Sequence, residues 1–335
     1  MNATLTNRTV RLARRPVGLP AADTWAIADE PVATIGAGEV LVEVKAISLD
    51  PAMRGWLDEG KSYIPPVGVG EVMRASGAGV VLQSTDPRWT PGDTVAGGFG
   101  VQKYAVVRGR DLEPIDTGAA PFERWLGVLG IPGMTAWFGL FDVGALKEGE
   151  SVVVSAAAGA VGGLVVQLAK SRGCPVVGIA GGPEKCRYVV EELGADACID
   201  HKAGDVRAGV AAALPKGIDV YFDNVGGEIL EGMMTLLRRR ARVVICGAVS
   251  GYNDFANIRG PRNYLNLLVQ RARMEGFVVF DYAARYPEAR AEILAALHSG
   301  RLKAREDVRE GLDHFPEVLN LLYRGGNFGK LVLRP

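Results

Sequence analysis

The chain has 335 residues, which is enough for two packed domains rather than one. Apolar residues make up 48% and charged residues 23%, and 38 basic side chains balance 38 acidic ones for a formal net charge of zero. This balance argues against nucleic acid or an anionic membrane as a partner. The apolar runs are too short or too often broken by glycine to span a bilayer, and MNATLTNRTVRLARRP lacks the apolar segment of a signal peptide, so we expect a cytoplasmic protein.

Short alternating apolar stretches, separated by Gly and Pro, fill the first 120 residues. They are EVLVEVKAIS (39–48), SGAGVVLQS (76–84), GDTVAGG (92–98) and QKYAVVR (102–108). Such runs with turn signals between them predict an all-β, barrel-like domain.

From about residue 121 the pattern changes to strands that alternate with helices. After the helical segment ERWLGVLGIPGMTAWFGLFDVGAL, the predicted strands are SVVVSA, PVVGIA, ACID, IDVYFDN, ARVVICG and GFVVF, and the predicted helices cover about 160–172, 183–193, 205–213 and 227–238. This alternation predicts a doubly wound parallel sheet with helices on both faces. The C-terminal KLVLRP is strand-like but has no position in that sheet. GFVVF would form an exposed apolar edge unless it were paired, which favours a symmetric homodimer.

The cysteines and histidines are scattered along the chain. They are Cys174, Cys186, Cys198, Cys246, His201, His298 and His314. No CxxC pair or HExxH spacing occurs among them, so we expect neither a metal site nor a disulfide framework, and we interpret the cysteines as small buried apolar residues.

A glycine-rich loop, AAGAVG at 157–162, lies between a predicted strand and a predicted helix. It fits G-x-G-x-x-G except that Ala157 replaces the first glycine. Gly159 would let the backbone approach a pyrophosphate, and Gly162 would let the helix pack closely on the strand. Because the strand before and the helix after the loop are both present, the motif predicts a dinucleotide site rather than a simple tight turn.

The end of the second strand indicates which dinucleotide binds. NAD-binding units usually carry Asp or Glu there to bind the adenosine ribose, whereas this chain has Gly181 and Gly182. Their lack of charge leaves room for a 2'-phosphate, and Lys185 and Arg187 follow closely enough to bind it, although Glu184 lies beside them. The sequence therefore favours NADPH, with solvated helix charges as the alternative interpretation.

Eight segments together resemble one known family. The chain is similar over essentially its whole length to the zinc-independent branch of the medium-chain dehydrogenase/reductases, which includes leukotriene B4 dehydrogenases, prostaglandin reductases, plant alkenal double-bond reductases and bacterial curcumin reductases. The matching segments are GEVLVEVKAISLDPAMRG, IPGMTAWFGL, VSAAAGAVGGLVVQLAK, VVGIAGGPEKCR, DVYFDNVGGEIL, VVICGAVSGYN, RMEGFVVFDY and GGNFGKLVL. The resemblance implies a GroES-like catalytic domain over 1–125 that is completed by 300–335, and a Rossmann NADPH-binding domain over 126–299.

The resemblance also implies which residues hold the cofactor. They are Ala158, Gly159, Ala160, Val161, Gly162, Gly181, Lys185, His201, Asn224, Cys246, Gly247, Ala248, Val249, Ser250, Tyr252, Phe277, Val278, Val279 and Asn327. At the position of His201, relatives often carry a Tyr that contacts the adenosine phosphate. An imidazole there would make NADPH affinity depend on pH near neutrality.

The reaction that the resemblance implies is reduction of the C=C bond of an α,β-unsaturated ketone or aldehyde. Hydride would pass to the β-carbon, and the enolate oxygen would be stabilised by a tyrosine hydroxyl or the ribose 2'-hydroxyl. The candidate donors are Tyr252, Tyr264 and Tyr63, because Val269 stands where animal and plant relatives carry their catalytic Tyr. Ala52, Met53 and Tyr63 would line the substrate pocket, with Ala52 in place of a common Tyr.

Two other functions fit the same sequence. A quinone reductase of the same superfamily would share the cofactor site and differ in the acceptor. A non-catalytic NADPH-binding protein would keep the fold without turnover, since a fold does not dictate function.

Overall fold

Residues 5–254 and 257–335 are described by a computed structural model of the chain. In it, residues 5–127 with Glu306–Pro335 form one unit, and Val128–Arg305 form a second. The boundaries predicted from the sequence were 125/126 and 299/300.

The first unit begins with short, mostly antiparallel strands. They are β1 (Thr6–Leu12), β2 (Trp25–Pro31), β3 (Glu39–Ser48), β4 (Ser76–Ser84), β5 (Thr94–Gly98), β6 (Tyr104–Arg108) and β7 (Glu113–Pro114), followed by helix α1 (Phe122–Leu126). β3 pairs with both β4 and β6, and its apolar residues enter a core that includes Val40, Val42 and Val44. A 3₁₀ segment, Pro51–Leu57, follows β3.

The second unit alternates strands and helices. After α2 (Ile131–Phe138) and a π-helical turn (Gly139–Val143) come β8 (Val152–Ser155), α3 (Gly162–Ser171), β9 (Val176–Ala180), α4 (Pro183–Glu191), β10 (Ala197–Asp200), α5 (Val206–Ala213), β11 (Ile218–Asp223), α6 (Gly227–Met234), β12 (Leu237–Ile245), α7 (Leu265–Gln270), β13 (Arg273–Gly276) and α8 (Tyr286–His298). Within the described residues, the strands form a parallel sheet of order β10-β9-β8-β11-β12-β13. The predicted Rossmann-type sheet is thus confirmed.

Two predicted elements differ from the structure. The last strand of this sheet is Arg273–Gly276 rather than GFVVF. Beyond Gly276 the chain passes into a 3₁₀ segment, Val279–Arg285, and a Cβ atom added to Gly139 would meet ring carbons of both Phe222 and Phe277 at 2.7 Å. Phe277 therefore packs beside Gly139 and Phe222, and Val279 is buried, whereas Phe280 is 50% exposed, and none of the three lies in a strand.

The predicted helix over 227–238 is also too long. α6 ends at Met234, and β12 begins at Leu237 within the arginine-rich segment. Arg240 has a φ of 67°, a backbone conformation that a helix does not contain.

The chain returns to the first unit with β14 (Glu306–Glu310), α9 (Phe315–Arg324) and β15 (Lys330–Arg334). β15 pairs with β14 in parallel and with β3 in antiparallel orientation, so KLVLRP completes the sheet of the first unit. No helix in the described parts of the chain is long and apolar enough to cross a bilayer. The cytoplasmic location stays a prediction.

Candidate active site

The order of the parallel strands places a switch point between β8 and β11. From β8 the chain proceeds outward through β9 to β10, and it then returns to β11 and proceeds the other way through β12 to β13. In open α/β sheets, ligands bind outside the carboxyl ends of the strands at such a point. The polar and glycine residues at these strand ends therefore form the candidate site.

The glycine-rich loop follows β8 at this edge. A Cβ atom on Gly162, the first residue of α3, would lie 2.4 Å from the carbonyl oxygen of Ala156. One on Gly159 would lie 3.1 Å from the same oxygen. The loop therefore passes close to the start of α3 and leaves backbone at Gly159 uncovered by a side chain, as a dinucleotide pyrophosphate requires.

Ala157 replaces the first glycine without crowding the loop. Its side chain is fully buried. On the neighbouring strand β9, a Cβ atom at Gly178 would lie 2.9 Å from the Cβ of Ala157. The methyl group of Ala157 thus occupies space that Gly178 leaves open.

The ends of β9 and β10 bring Gly181, His201 and Lys202 together. A Cβ atom on Gly181 would lie 2.8 Å from His201 Nε2 and 3.1 Å from Lys202 Cε. The Asp200 carboxylate fixes this turn, because it accepts hydrogen bonds from the backbone N–H groups of Gly182 (2.8 Å) and Lys202 (2.9 Å), and these bonds lower its pKa. The arrangement presents two basic side chains beside an uncharged Gly181.

Lys185 and Arg187 both lie on α4 but differ in burial. Lys185, in the first turn after the glycines, is half-buried, whereas Arg187 and Glu184 are exposed. Of the two basic residues, Lys185 is the less exposed and lies nearer to the glycines along the helix.

Asn224 is held at the switch point by Ser155, the last residue of β8. Its backbone N–H donates to Ser155 Oγ at 2.8 Å, and its side-chain Nδ2 donates to the Ser155 carbonyl oxygen at 2.7 Å. Ser155 Oγ in turn donates to Asp223 Oδ1 at 3.0 Å. These bonds leave the Asn224 side-chain oxygen as an acceptor for a ligand.

The segment after β12 folds over the same edge. The backbone N–H groups of Cys246 and Gly247 donate to the Asp223 carbonyl oxygen at 2.9 and 3.1 Å. Ser250 Oγ donates to the Val225 carbonyl oxygen at 2.6 Å. Burial raises the pKa of the Cys246 thiol to about 12, with a further contribution from the Asp223 charge, so the thiol is neutral at physiological pH.

The Tyr252 hydroxyl lies against this segment. It accepts a hydrogen bond from the Ala248 backbone N–H at 3.2 Å, and a Cβ atom on Gly247 would lie 3.0 Å from it. The phenol oxygen is the acceptor in this bond.

The other predicted site residues lie at α7 or in the first unit, and three of them are exposed. Tyr264 is 61% exposed at the start of α7, and Tyr63 is 57% exposed in the first unit. Val269 is an exposed residue of α7. Asn327 belongs to the first unit, where its Nδ2 donates to the Gly329 carbonyl oxygen at 3.0 Å.

Two further predictions concern packing. Ala52 is half-buried. Met53 is fully buried, and because the Met53 side chain packs in the core of the first unit, it does not line an open pocket. In the second unit, Val279 is buried, and its carbonyl oxygen accepts from the Tyr286 hydroxyl at 3.1 Å.

Sequence reasoning missed Ser155, Asp223 and Lys202. Ser155 and Asp223 are the polar last residues of two buried strands, VVVS and IDVYFD, which end at the ligand-binding edge. That position is a usable signal. Lys202 follows directly after His201, and only the tertiary structure shows that it reaches Gly181.

Metal ligands are not grouped in the part of the chain that the structure describes. No cluster of three or more His, Cys, Asp or Glu side chains there could hold a metal ion. The four cysteines are free thiols.

A parallel sheet with a glycine-rich loop at its switch point is typical of a dinucleotide-binding domain. Two family models match the chain, one described as the N-terminal domain of oxidoreductase over residues 8–115 and one as zinc-binding dehydrogenase over residues 160–295. The chain belongs to the medium-chain dehydrogenase/reductase family, in its zinc-independent branch.

Similar proteins cover nearly all of the chain. The NADPH-dependent curcumin reductase of Escherichia coli is 41% identical over 333 residues, which are 98% of this chain and 96% of that protein. The NADP⁺-dependent 2-alkenal reductase of Nicotiana tabacum is 38% identical over 89% of this chain and 88% of its own length. The crystal structure of CurA from Vibrio vulnificus in complex with NADPH superposes with a TM-score of 0.93 at 41% identity, over 98% of each chain.

Proposed function

We propose that this protein is an NADPH-dependent reductase of the C=C bond of α,β-unsaturated ketones or aldehydes. The observation that carries the proposal is the whole-chain similarity to the curcumin reductase, together with a glycine-rich loop at the switch point of the sheet. The alkenal reductase, which is similar over most of its length, supports the same class of reaction.

The residues at the sheet edge fit NADPH. The loop from Ala158 to Gly162 leads into the N-terminus of α3, where backbone N–H groups favour a pyrophosphate. His201 and Lys202 flank Gly181, and no acidic side chain extends from Gly181 or Gly182 to repel a 2'-phosphate. With Lys185, they would hold that phosphate through charge-assisted hydrogen bonds.

The other end of the dinucleotide would then lie over β11 and β12. Asn224 offers its side-chain oxygen there, and the segment from Cys246 to Tyr252 closes over the same edge. When bound, NADPH supplies the hydride. Phe277 to Val279 and Asn327 complete the proposed cofactor set.

Tyr252 is the proposed donor to the carbonyl oxygen of the substrate. That oxygen gains negative charge as the β-carbon is reduced, and a neutral donor within hydrogen-bond reach stabilises it. The Ala248 N–H makes the phenol a better donor, because hydrogen bonds in a chain polarise one another. Tyr264, Tyr63 and the ribose 2'-hydroxyl are the alternative donors, and Ala52 and Tyr63 would contact the substrate.

A homodimer is part of the proposal. β13 pairs only with β12 among the described strands, so its outer edge is open to a second strand. The helix that precedes it in the chain, α7, exposes Leu265, Leu268 and Val269. Sedimentation equilibrium would show a dimer, and Leu268→Glu would shift it toward monomer, whereas a monomeric wild type would exclude it.

The function is tested by steady-state oxidation of NADPH with three acceptor classes. We expect turnover with an enone such as 3-nonen-2-one and with an alkenal, and much weaker turnover with quinones. Preference for quinones would identify a quinone reductase instead. Tight NADPH binding without oxidation by any acceptor would identify a non-catalytic NADPH-binding protein.

A further inference from the structure

Two serine–aspartate pairs join β8 to β11, one at each end of the strands. At the amino end, Ser151 Oγ donates to Asp219 Oδ2 at 3.0 Å. At the carboxyl end, Ser155 Oγ donates to Asp223 Oδ1 at 3.0 Å. All four residues are buried, so the two aspartates are closely matched in strand, partner and burial.

The two aspartates differ in charge compensation. Asp219 Oδ2 also accepts from Arg238 Nη1 at 2.7 Å, so a guanidinium neutralises it. Within the described residues, the donors to Asp223 are neutral groups: Ser155 Oγ, Tyr221 OH at 2.8 Å, and the backbone N–H groups of Val225 and Gly226 at 3.0 Å. No ion pair to Asp223 occurs within residues 5–254 and 257–335.

A buried carboxylate usually has a cationic partner, because burying an isolated charge is costly. Asp223 is 1% exposed, and no cationic partner for it is present in the described part of the chain. Its charge reaches its neighbours, since it adds to the effect of burial in raising the pKa of both Tyr221 and Cys246. The structure thus places at the switch point of the sheet a buried carboxyl group that neutral donors surround.

The position of that charge relative to a dinucleotide follows from the fold. The basic residues His201 and Lys202 lie at the ends of β9 and β10, which assigns the adenosine half to that side. A dinucleotide crosses the switch point in this fold, so its nicotinamide half would lie over β11 and β12. Asp223 ends β11, beneath the place where this half would lie, and its Oδ1 also accepts from the serine that holds Asn224.

We propose that Asp223 is a positioning residue that supplies a fixed negative charge beneath the nicotinamide and so favours its oxidised, cationic form. The inference rests on the proposed NADPH site. Loss of hydride to the β-carbon of the substrate turns a neutral ring into a cation, and a proton from solvent completes the reduction at the α-carbon. The field of Asp223 stabilises the positive charge as it develops, which is electrostatic preorganisation.

The test is the ratio of the dissociation constants of NADP⁺ and NADPH, measured by titration calorimetry without any enone. Asp223→Asn should raise this ratio at least fivefold, because the carboxamide retains a hydrogen-bond acceptor but removes the charge. Asp219→Asn is the matched control, since its charge is already paired, and it should leave the ratio within twofold of wild type. A ratio unchanged by Asp223→Asn, even with both affinities weakened, overturns the proposal.

A second variant covers the case in which Asp223→Asn does not fold. Asp223→Ser should bind NADP⁺ more tightly when formate is added, with NADPH binding unchanged, whereas the neutral formamide should have no such effect. Equal effects of formate and formamide overturn the proposal. If wild type binds both nucleotides but reduces no enone, the proposed reaction is wrong, while the proposed effect of the Asp223 charge is unaffected. If wild type binds neither nucleotide, both the proposed reaction and the proposed charge effect are wrong.

Discussion

A Cβ atom on Gly162 would lie 2.4 Å from the carbonyl oxygen of Ala156, whereas one on Gly159 would lie 3.1 Å from it. The two glycines therefore have separate roles. Gly162→Ala should destabilise the protein by about 1–3 kcal/mol, because the added methyl group meets backbone that must move. Urea unfolding of the protein without nucleotide measures this loss.

Gly159→Ala is the companion variant. Its contact is looser, so the free energy of unfolding should change less than in Gly162→Ala, while NADPH affinity should fall because the methyl group covers backbone facing the pyrophosphate. Equal losses of stability in the two variants would contradict this division of roles.

Selectivity for NADPH should depend on Lys185 and Lys202. Either alanine substitution should raise the KM for NADPH about tenfold or more, since one charge-assisted hydrogen bond contributes about 1.5–3 kcal/mol. The KM for NADH should barely change. Arg187→Ala is the control on the same helix, because its side chain is exposed. Efficient use of NADH by wild type would contradict the interpretation of Gly181 and Gly182.

Because of Lys330, we expect the free energy of unfolding to rise with pH in the alkaline range. Its ammonium is buried, and it donates to Asp50 Oδ1 at 2.8 Å and to the Leu49 carbonyl oxygen at 2.7 Å. Burial lowers its pKa below the ordinary 10.5, and Asp50 only partly opposes this. The unfolded chain therefore binds the proton more tightly than the fold does, so the Lys330 contribution to the free energy of unfolding increases as pH rises from the lowered pKa toward 10.5.

Denaturant unfolding from pH 7 to 10.5 checks this sign. Lys330→Met should unfold more easily than wild type, because Asp50 loses its cation. The free energy of unfolding of this variant should also lack the rise with pH that Lys330 gives to wild type. A wild-type stability that falls over this window in parallel with the variant would show that Lys330 is not responsible.

Tyr252→Phe should lower kcat for enone reduction while NADPH affinity stays within a few fold. One lost oxyanion donor costs about 10²–10³ in kcat, and we expect the low end of this range or less because ribose and water can substitute. Tyr63→Phe and Tyr264→Phe are the controls. An unchanged kcat in Tyr252→Phe beside a large loss in one control would assign the role to that residue instead. No effect in all three would leave the ribose hydroxyl and water as donors.

Activity should survive prolonged treatment with EDTA or 1,10-phenanthroline. No spacing in the sequence is typical of a zinc site, and the proposed reaction needs only a hydride donor and a hydrogen-bond donor. Activity that is lost on chelation and restored by zinc would contradict both the sequence interpretation and the proposed chemistry.

The sequence alone predicted the alternation of strands and helices, the glycine loop and the absence of a carboxylate at Gly181. These features are local: periodicity, turn residues and short motifs depend on neighbours along the chain. The same local reasoning misplaced the last strand of the Rossmann sheet, because apolar residues such as Phe277 and Val279 can pack beside Gly139 or in a 3₁₀ segment without strand pairing.

Only the tertiary structure decided how the strand ends meet. The pairing of Ser155 with Asp223, the contact of His201 and Lys202 with Gly181, and the packing of Ala157 against Gly178 each join residues about 20 or more positions apart. The order of strands in a sheet sets such contacts, and no local pattern encodes that order. For the same reason, the sequence could name Asn224 by resemblance, but it could not show the uncompensated carboxylate beside it.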